Sequence, residues 1–175
     1  QNRALLGPIL TKMNDDLCSC ATKVLPNLIF VYRGTHVFPS TLRKIKATMP
    51  NVILIAYNND NPFSPGQPYY YWRHFIRGLK EYDFCLAYRK SNLRDFYLAG
   101  AQQVDLLRSW FVPGRNYPVQ VEKNHDDEYI NDIVFVGHFE NDFRLGCLES
   151  LANNGVRVGV FGPPKQWNKI LKKSG

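Results

Sequence analysis

Four polar segments of this chain carry residue types that could do chemistry, and each follows a short apolar run: Arg33-Gly34-Thr35-His36, Asn58-Asn59-Asp60-Asn61-Pro62-Phe63, Arg89-Lys90-Ser91-Asn92 and Gly137-His138-Phe139-Glu140-Asn141-Asp142-Phe143-Arg144. In the first, Gly34 would let backbone approach a ligand or turn with positive φ, and His36 could serve as a base or donor near neutral pH. In the second, the Asp60 carboxylate stands among the amides of Asn58 and Asn59. That set suits fixing the hydroxyls of a polyol or sugar, or general-base work. In the third, Arg89, Ser91 and Asn92 fall where a helix begins, so N–H groups and a guanidinium could hold an anion. In the fourth, Gly137 followed by Arg144 at the start of a helix suits a phosphate. Each segment also has a plain structural reading: a glycine turn with a surface histidine, an Asx turn leading into Pro62, and capping by Ser91 beside a solvated arginine.

For these segments to converge, the apolar runs before them must be neighbouring strands. Leu28–Tyr32, Val52–Tyr57, Phe84–Tyr88, Val104–Leu107, Ile133–Val136 and Val156–Phe161 read as strands, the first and fifth as fully buried ones. Between them, apolar positions recur at helical steps: Leu5 to Val24, Leu42 to Met49 after Pro39, Trp72 to Leu79, Leu93 to Tyr97 with Ser91 as the expected N-cap, and Phe143 to Leu151. Strands alternating with helices predict an α/β protein with a parallel sheet and helices on both faces, in which ligands sit beyond the carboxyl ends of the strands.

Residues 111–131 break this rhythm with Pro113, Gly114, Pro118 and the hydrophilic stretch from Glu122 to Glu128, which reads as an interdomain linker. The organisation expected is a lobe over 1–118, a linker over 119–130 and the start of a second lobe over 131–175. The second part is short for an independent domain, and Gln1 starts the chain almost inside a helix, so the expectation is a chain cut at both ends.

Composition excludes several classes. With 45% apolar and 21% charged residues in 175, the chain can bury a core, and no apolar run approaches the roughly 20 residues of a membrane span. Four cysteines fit neither a zinc pattern nor a disulfide framework, which favours a reducing cytoplasm. The net charge of +7 divides unevenly: 15 Lys/Arg against 7 Asp/Glu in 1–117, 1 against 6 in 118–140, and 6 against 2 in 141–175. A basic balance suggests anionic partners without choosing among them. No dinucleotide fingerprint, P-loop, nucleophile elbow or zincin motif occurs. The aromatic run Tyr69-Tyr70-Tyr71-Trp72-Arg73-His74-Phe75 could stack bases, but Trp72, Phe75 and Ile76 fit a buried helical face better, so nucleic-acid binding is disfavoured. Lys169, Lys172 and Lys173 are expected on a solvated helix face.

Read in order, Leu25-Pro26-Asn27-Leu28-Ile29-Phe30-Val31-Tyr32, Asn58-Asn59-Asp60-Asn61-Pro62-Phe63, Tyr82-Asp83-Phe84 with Arg89-Lys90-Ser91-Asn92, Gly100-Ala101, Asp132-Ile133-Val134-Phe135-Val136-Gly137-His138 with Arg144, and Val160-Phe161-Gly162 resemble the CgeB-like glycosyltransferases, relatives of the group 1 sugar transferases. The resemblance runs over essentially the whole chain. It implies the two-lobed GT-B fold, with a Rossmann-like acceptor lobe over most of 1–118 and the opening β-α-β of the nucleotide-sugar lobe after residue 130. Gly34, His36, Asn58, Asn59, Asp60, Arg89, Ser91 and Asn92 would face the acceptor side. Gly137, His138, Arg144 and Gly162 would approach the donor diphosphate.

The activity implied is hexosyltransferase-like, of the kind used in polysaccharide biosynthesis: a sugar moves from a nucleotide-sugar to a glycan, lipid-linked or protein acceptor. Asp60 or His36 would be the base if the reaction inverts, while Arg144 and the amide after Gly137 would stabilise the departing diphosphate. No cofactor is expected, the nucleotide-sugar being a substrate, with metal dependence left open; the location expected is the cytoplasm, with peripheral membrane contact also open. The acidic donor motif usual in such lobes is not reached before Gly175, so the 175-residue chain is expected to be inactive alone. The alternative is a non-catalytic α/β binding or scaffold module.

Overall fold

A computed structural model describes residues 5–118, 120 and 130–174, and the chain divides into two compact units, residues 1–112 and 113–175. The expected linker lies almost wholly outside the described residues.

The first unit alternates helix and strand: α1 (Pro8–Val24), β1 (Leu28–Tyr32), α2 (Pro39–Thr48), β2 (Ile53–Asn58), α3 (Tyr69–Gly78), β3 (Phe84–Ala87), α4 (Leu93–Leu98) and β4 (Val104–Leu106). Proline at the first turn starts α1 and α2, where a missing N–H costs nothing. A left-handed Leu25, whose N–H donates to the Ala21 carbonyl, ends α1. Two short 3-10 turns, Leu79–Glu81 and Lys90–Asn92, lead into β3 and α4.

All four strands are parallel, in the order β1-β2-β3-β4, with Leu28 beside Ile53, Ile55 beside Phe84 and Cys85 beside Val104. The parallel α/β sheet is therefore as expected and compatible with a Rossmann-like fold, whereas the helices expected on both of its faces cover only one among the described residues of this unit. An order that advances in one direction through right-handed crossovers keeps successive helices on the same side. Accordingly Leu54, Ala56, Cys85 and Ala87 pack with Cys18 and Ala21 of α1, Leu42 and Ile45 of α2, Trp72 and Phe75 of α3, and Phe96 of α4. A second helical layer over the opposite face is absent among the described residues of this unit. As a result β1, expected to be fully buried, leaves Leu28, Phe30 and Tyr32 about half exposed, and Ile53 and Phe84 lie open beside them. Tyr57 is the exception on that face, buried against the rings of Phe30, Tyr32 and Trp110.

The aromatic run resolves as expected: Trp72 and Phe75 are buried and extend through Phe96 to Phe63 in edge-to-face contacts, while Tyr69 and Tyr70 remain outside. Two polar locks hold the unit. Buried Asn14 donates from Nδ2 to the Leu10 and His36 carbonyls and accepts at Oδ1 from the Phe38 N–H and the Thr41 hydroxyl. At the amino end of the sheet, Lys46 bridges the Val52 carbonyl and the Asp83 carboxylate, which also accepts the Leu54 N–H at 2.7 Å.

The second unit holds β5 (Ile133–Val136), α5 (Arg144–Asn153), β6 (Val158–Phe161) and α6 (Pro164–Ser174), with β5 and β6 paired in parallel. The sequence predicts β6 from Val156 and a helix face bearing Lys169 after it. Here β6 begins two residues later, and α6 carries Trp167, the only fully buried large side chain among the unit's described residues. Ile133, Val134 and Val136 are exposed although this run reads as a fully buried strand, because two strands with two helices offer too little cover. An Asp132–Arg157 pair clamps the start of the two strands and holds the Asp132 carboxyl down to about 2. No described helix is long and apolar enough to cross a membrane.

Candidate functional site

At the carboxyl ends of the first unit's strands lies a cleft of about 500 Å³, lined by Tyr32, Tyr57, Asn59, Asp60, Tyr88, Arg89, Ser109 and Trp110. Its position follows from the fold, since all four strands point their carboxyl ends the same way.

The loop after β1 opens with two left-handed residues, Arg33 at φ 66° and Gly34 at φ 55°. The conformation is unusual for arginine, and the Arg33 N–H donating to the Tyr57 carbonyl helps fix it. The turn carries the Arg33 guanidinium to the Asp60 carboxylate, with Trp72 beneath it. Gly34 itself is buried. A Cβ there would lie 3.1 Å from Phe75 and 3.3 Å from Tyr82 and Val31, so this glycine serves packing and the turn, and its backbone is not open to a ligand. His36 points to solvent with Nδ1 hydrogen-bonded to the Thr35 hydroxyl, and it does not line the cleft.

The loop after β2 is an Asx turn with chemistry attached. Asn58 is wholly buried and its Oδ1 accepts the Asp60 N–H, while its Nδ2 has no hydrogen-bond partner among the described residues. Asn58 therefore shapes the loop from inside, and Asn59 and Asp60 reach the cleft. Asn59 accepts the Tyr32 hydroxyl at Oδ1 and Arg89 at its backbone carbonyl, at 2.9 and 2.8 Å. Asp60 gives Oδ2 to Arg33 and leaves Oδ1 without a partner among the described residues.

After β3, Arg89 lies over the Tyr88 ring, 5.5 Å from its centroid. Ser91 is exposed and makes no capping bond, contrary to expectation. The 3-10 turn already has helical geometry, so Asn92 occupies the cap position with φ −88° and ψ −10°, and no side-chain oxygen is directed at free N–H groups. Asn92 is buried and ties the loops together, donating to Asn61 Oδ1 and to Asp95.

The aromatic wall is what the sequence reading missed. Tyr32, Tyr57 and Tyr88 close apolar runs that the sequence reads only as strands, while Trp110 follows the weakest strand. Their signal was positional: a hydroxyl-bearing ring at each of three strand ends. Burial, with Tyr32 and Tyr88 nearby, raises the Tyr57 hydroxyl above its ordinary value, so it remains protonated as a donor.

In the second unit, the carbonyl of Gly137 accepts the Trp167 indole N–H at 2.8 Å, and a Cβ on Gly162 would fall 2.0 Å from that carbonyl oxygen. Both glycines thus answer to packing around Trp167. Arg144 starts α5 as expected, but its guanidinium already meets Glu140, Asp142 and the His138 carbonyl. His138 pairs through Nε2 with Glu140. Any phosphate here must displace carboxylates.

Neither a family model nor a curated protein matches this chain.

Proposed function

We propose that this chain is the acceptor-side portion of a glycosyltransferase of GT-B type, whose first unit holds the acceptor sugar in the strand-end cleft and whose second unit begins the nucleotide-sugar side. The observation that carries the reading is the cleft lining. The rings of Tyr57 and Trp110, in contact with each other, line the cleft together with Asn59, with Asp60, one of whose oxygens has no partner among the described residues, and with the hydrogen-bonded hydroxyls of Tyr88 and Ser109. A sugar ring presents the complementary pair of surfaces, C–H groups on its faces and hydroxyls at its rim.

In an inverting transfer, the acceptor hydroxyl would rest on Asp60 Oδ1. Its oxygen forms the new bond to the anomeric carbon, its proton passes to Oδ1, and the diphosphate leaves with the electron pair of the broken bond. Arg33 keeps the carboxylate aimed from the opposite oxygen. Asp60 is thus the base favoured over His36, which lies outside the cleft. A retaining transfer needs no such base.

The engagement of Arg144 by two carboxylates favours a second reading, a non-catalytic carbohydrate-binding module. Ligand-observed NMR on the 175-residue chain separates the two. The transferase reading expects contact with hexose oligosaccharides that Trp110→Ala abolishes, and contact with a UDP-hexose that Arg144→Ala abolishes. Saccharide contact without any UDP-hexose contact would move the conclusion to the binding module, and absence of both would overturn each reading.

A further inference from the structure

The charge inside the cleft is unbalanced. Its one carboxylate, Asp60, is matched by Arg33, whereas Arg89 makes no ion pair among the described residues. Arg89 is nevertheless held in place twice: Nη1 donates to the Asn59 carbonyl, and the guanidinium lies over the Tyr88 ring. The rest of its fork makes no hydrogen bond within the described residues. A fixed planar cation with open N–H groups recognises a carboxylate or phosphate through paired hydrogen bonds, and less ordering is lost when the ligand arrives.

Next to this cation is a ring-binding wall. Trp110 is 67% exposed, far more than a packing role requires, and it meets Tyr57 at 6.0 Å. Resting on the identification of the cleft as a sugar site, we infer that it selects an anionic hexose, one bearing a carboxylate or phosphate that pairs with Arg89 while the ring lies on Trp110. Asn59 and Asp60 Oδ1 take hydroxyls. A neutral sugar would satisfy the wall and leave the fixed guanidinium without a counter-charge.

The test is tryptophan fluorescence and calorimetry on the full 175-residue chain with methyl β-D-glucuronide, glucose 6-phosphate, methyl β-D-glucoside and UMP. The expected result is about tenfold tighter binding of an anionic hexose than of the glucoside, the usual scale for one charge-assisted pair. Arg89→Gln removes that preference, so that the anionic hexoses and the glucoside bind alike in the variant; circular dichroism confirms that the variant is folded. Whether the glucuronide or the phosphate binds more tightly identifies the source of the anion. Equal affinity for glucoside and glucuronide, or a preference that survives in Arg89→Gln, would overturn the inference while the sugar site stands. Binding of UMP alone, or of none of the four, would overturn the sugar site itself and the inference with it.

Discussion

Asn14 of α1 donates from Nδ2 to the backbone carbonyl of His36, 22 residues further along the chain, at 2.9 Å. Through this bond and its partners Phe38 and Thr41, one helix residue fixes the loop that starts beside the cleft and the first turn of the next helix. A buried amide with every donor and acceptor filled is expensive to truncate, since buried partners such as the Thr41 hydroxyl lose a hydrogen bond where water is excluded. Asn14→Ala should therefore cost about 2–4 kcal/mol. Urea denaturation of the wild type and variant measures it.

Asp83 gives the fold an acid limit. Burial pushes its carboxyl upward, but the Leu54 N–H and the Lys46 ammonium outweigh burial, and the net direction is down. The folded value lies below the unfolded one, so the stabilisation is present above the ordinary carboxylate range and fades as pH falls through the folded value. Denaturation midpoints between pH 7 and pH 3 should fall less steeply in Asp83→Asn than in wild type.

His74 acts at milder pH. Burial is the main reason its imidazole titrates below the ordinary value of 6.5, with Arg73, Arg77 and His36 adding repulsion and the hydrogen bond to the Leu5 carbonyl opposing them. The unfolded chain takes up this proton first, so stability should drop as pH falls below about 6.5. In His74→Gln the thermal midpoint should be flatter between pH 7 and pH 5.

Gly162→Ala places a methyl carbon 2.0 Å from the Gly137 carbonyl oxygen, far inside van der Waals contact distance. That neighbour is backbone and the indole of Trp167 blocks the other direction, so relief requires moving a strand end. A loss of about 2–4 kcal/mol is expected. Near-ultraviolet dichroism and fluorescence of Trp167 should report it.

Trp110→Ala should behave in the opposite way, weakening saccharide contact while costing less than about 1 kcal/mol of stability, because most of the ring is in water already. Parallel melting and saccharide titration check both halves of that statement.

Much of the scaffold was legible from period and punctuation. Pro26, Gly34 and Pro50 bound β1 and α2, and β-branched runs mark β1, β2 and β5. What could not be read is burial, because an apolar run such as Leu28–Tyr32 has the same composition whether one face is covered or two. The functions of Asn14 and Asn92 were hidden for a similar reason: a buried amide differs from a surface one only in partners distant in sequence. Of the cleft, Asn59, Asp60 and Arg89 were found from their loops, and the tyrosines were missed because hydrophobic and functional roles coincide in one side chain. Gly162 marks a close approach, but the approaching group is the Gly137 carbonyl of the same unit, and Gly137 itself faces the Phe135 ring.

The unbroken strand order of the first unit also bears on how the molecule comes into being. Each strand after the first pairs with the one synthesised just before it, across separations of about 20 to 30 residues. Loop closure over such spans is quick, and no strand waits for a distant partner. The sheet can therefore lengthen in the order in which the ribosome delivers it, with each new β-strand templated on an edge that already exists.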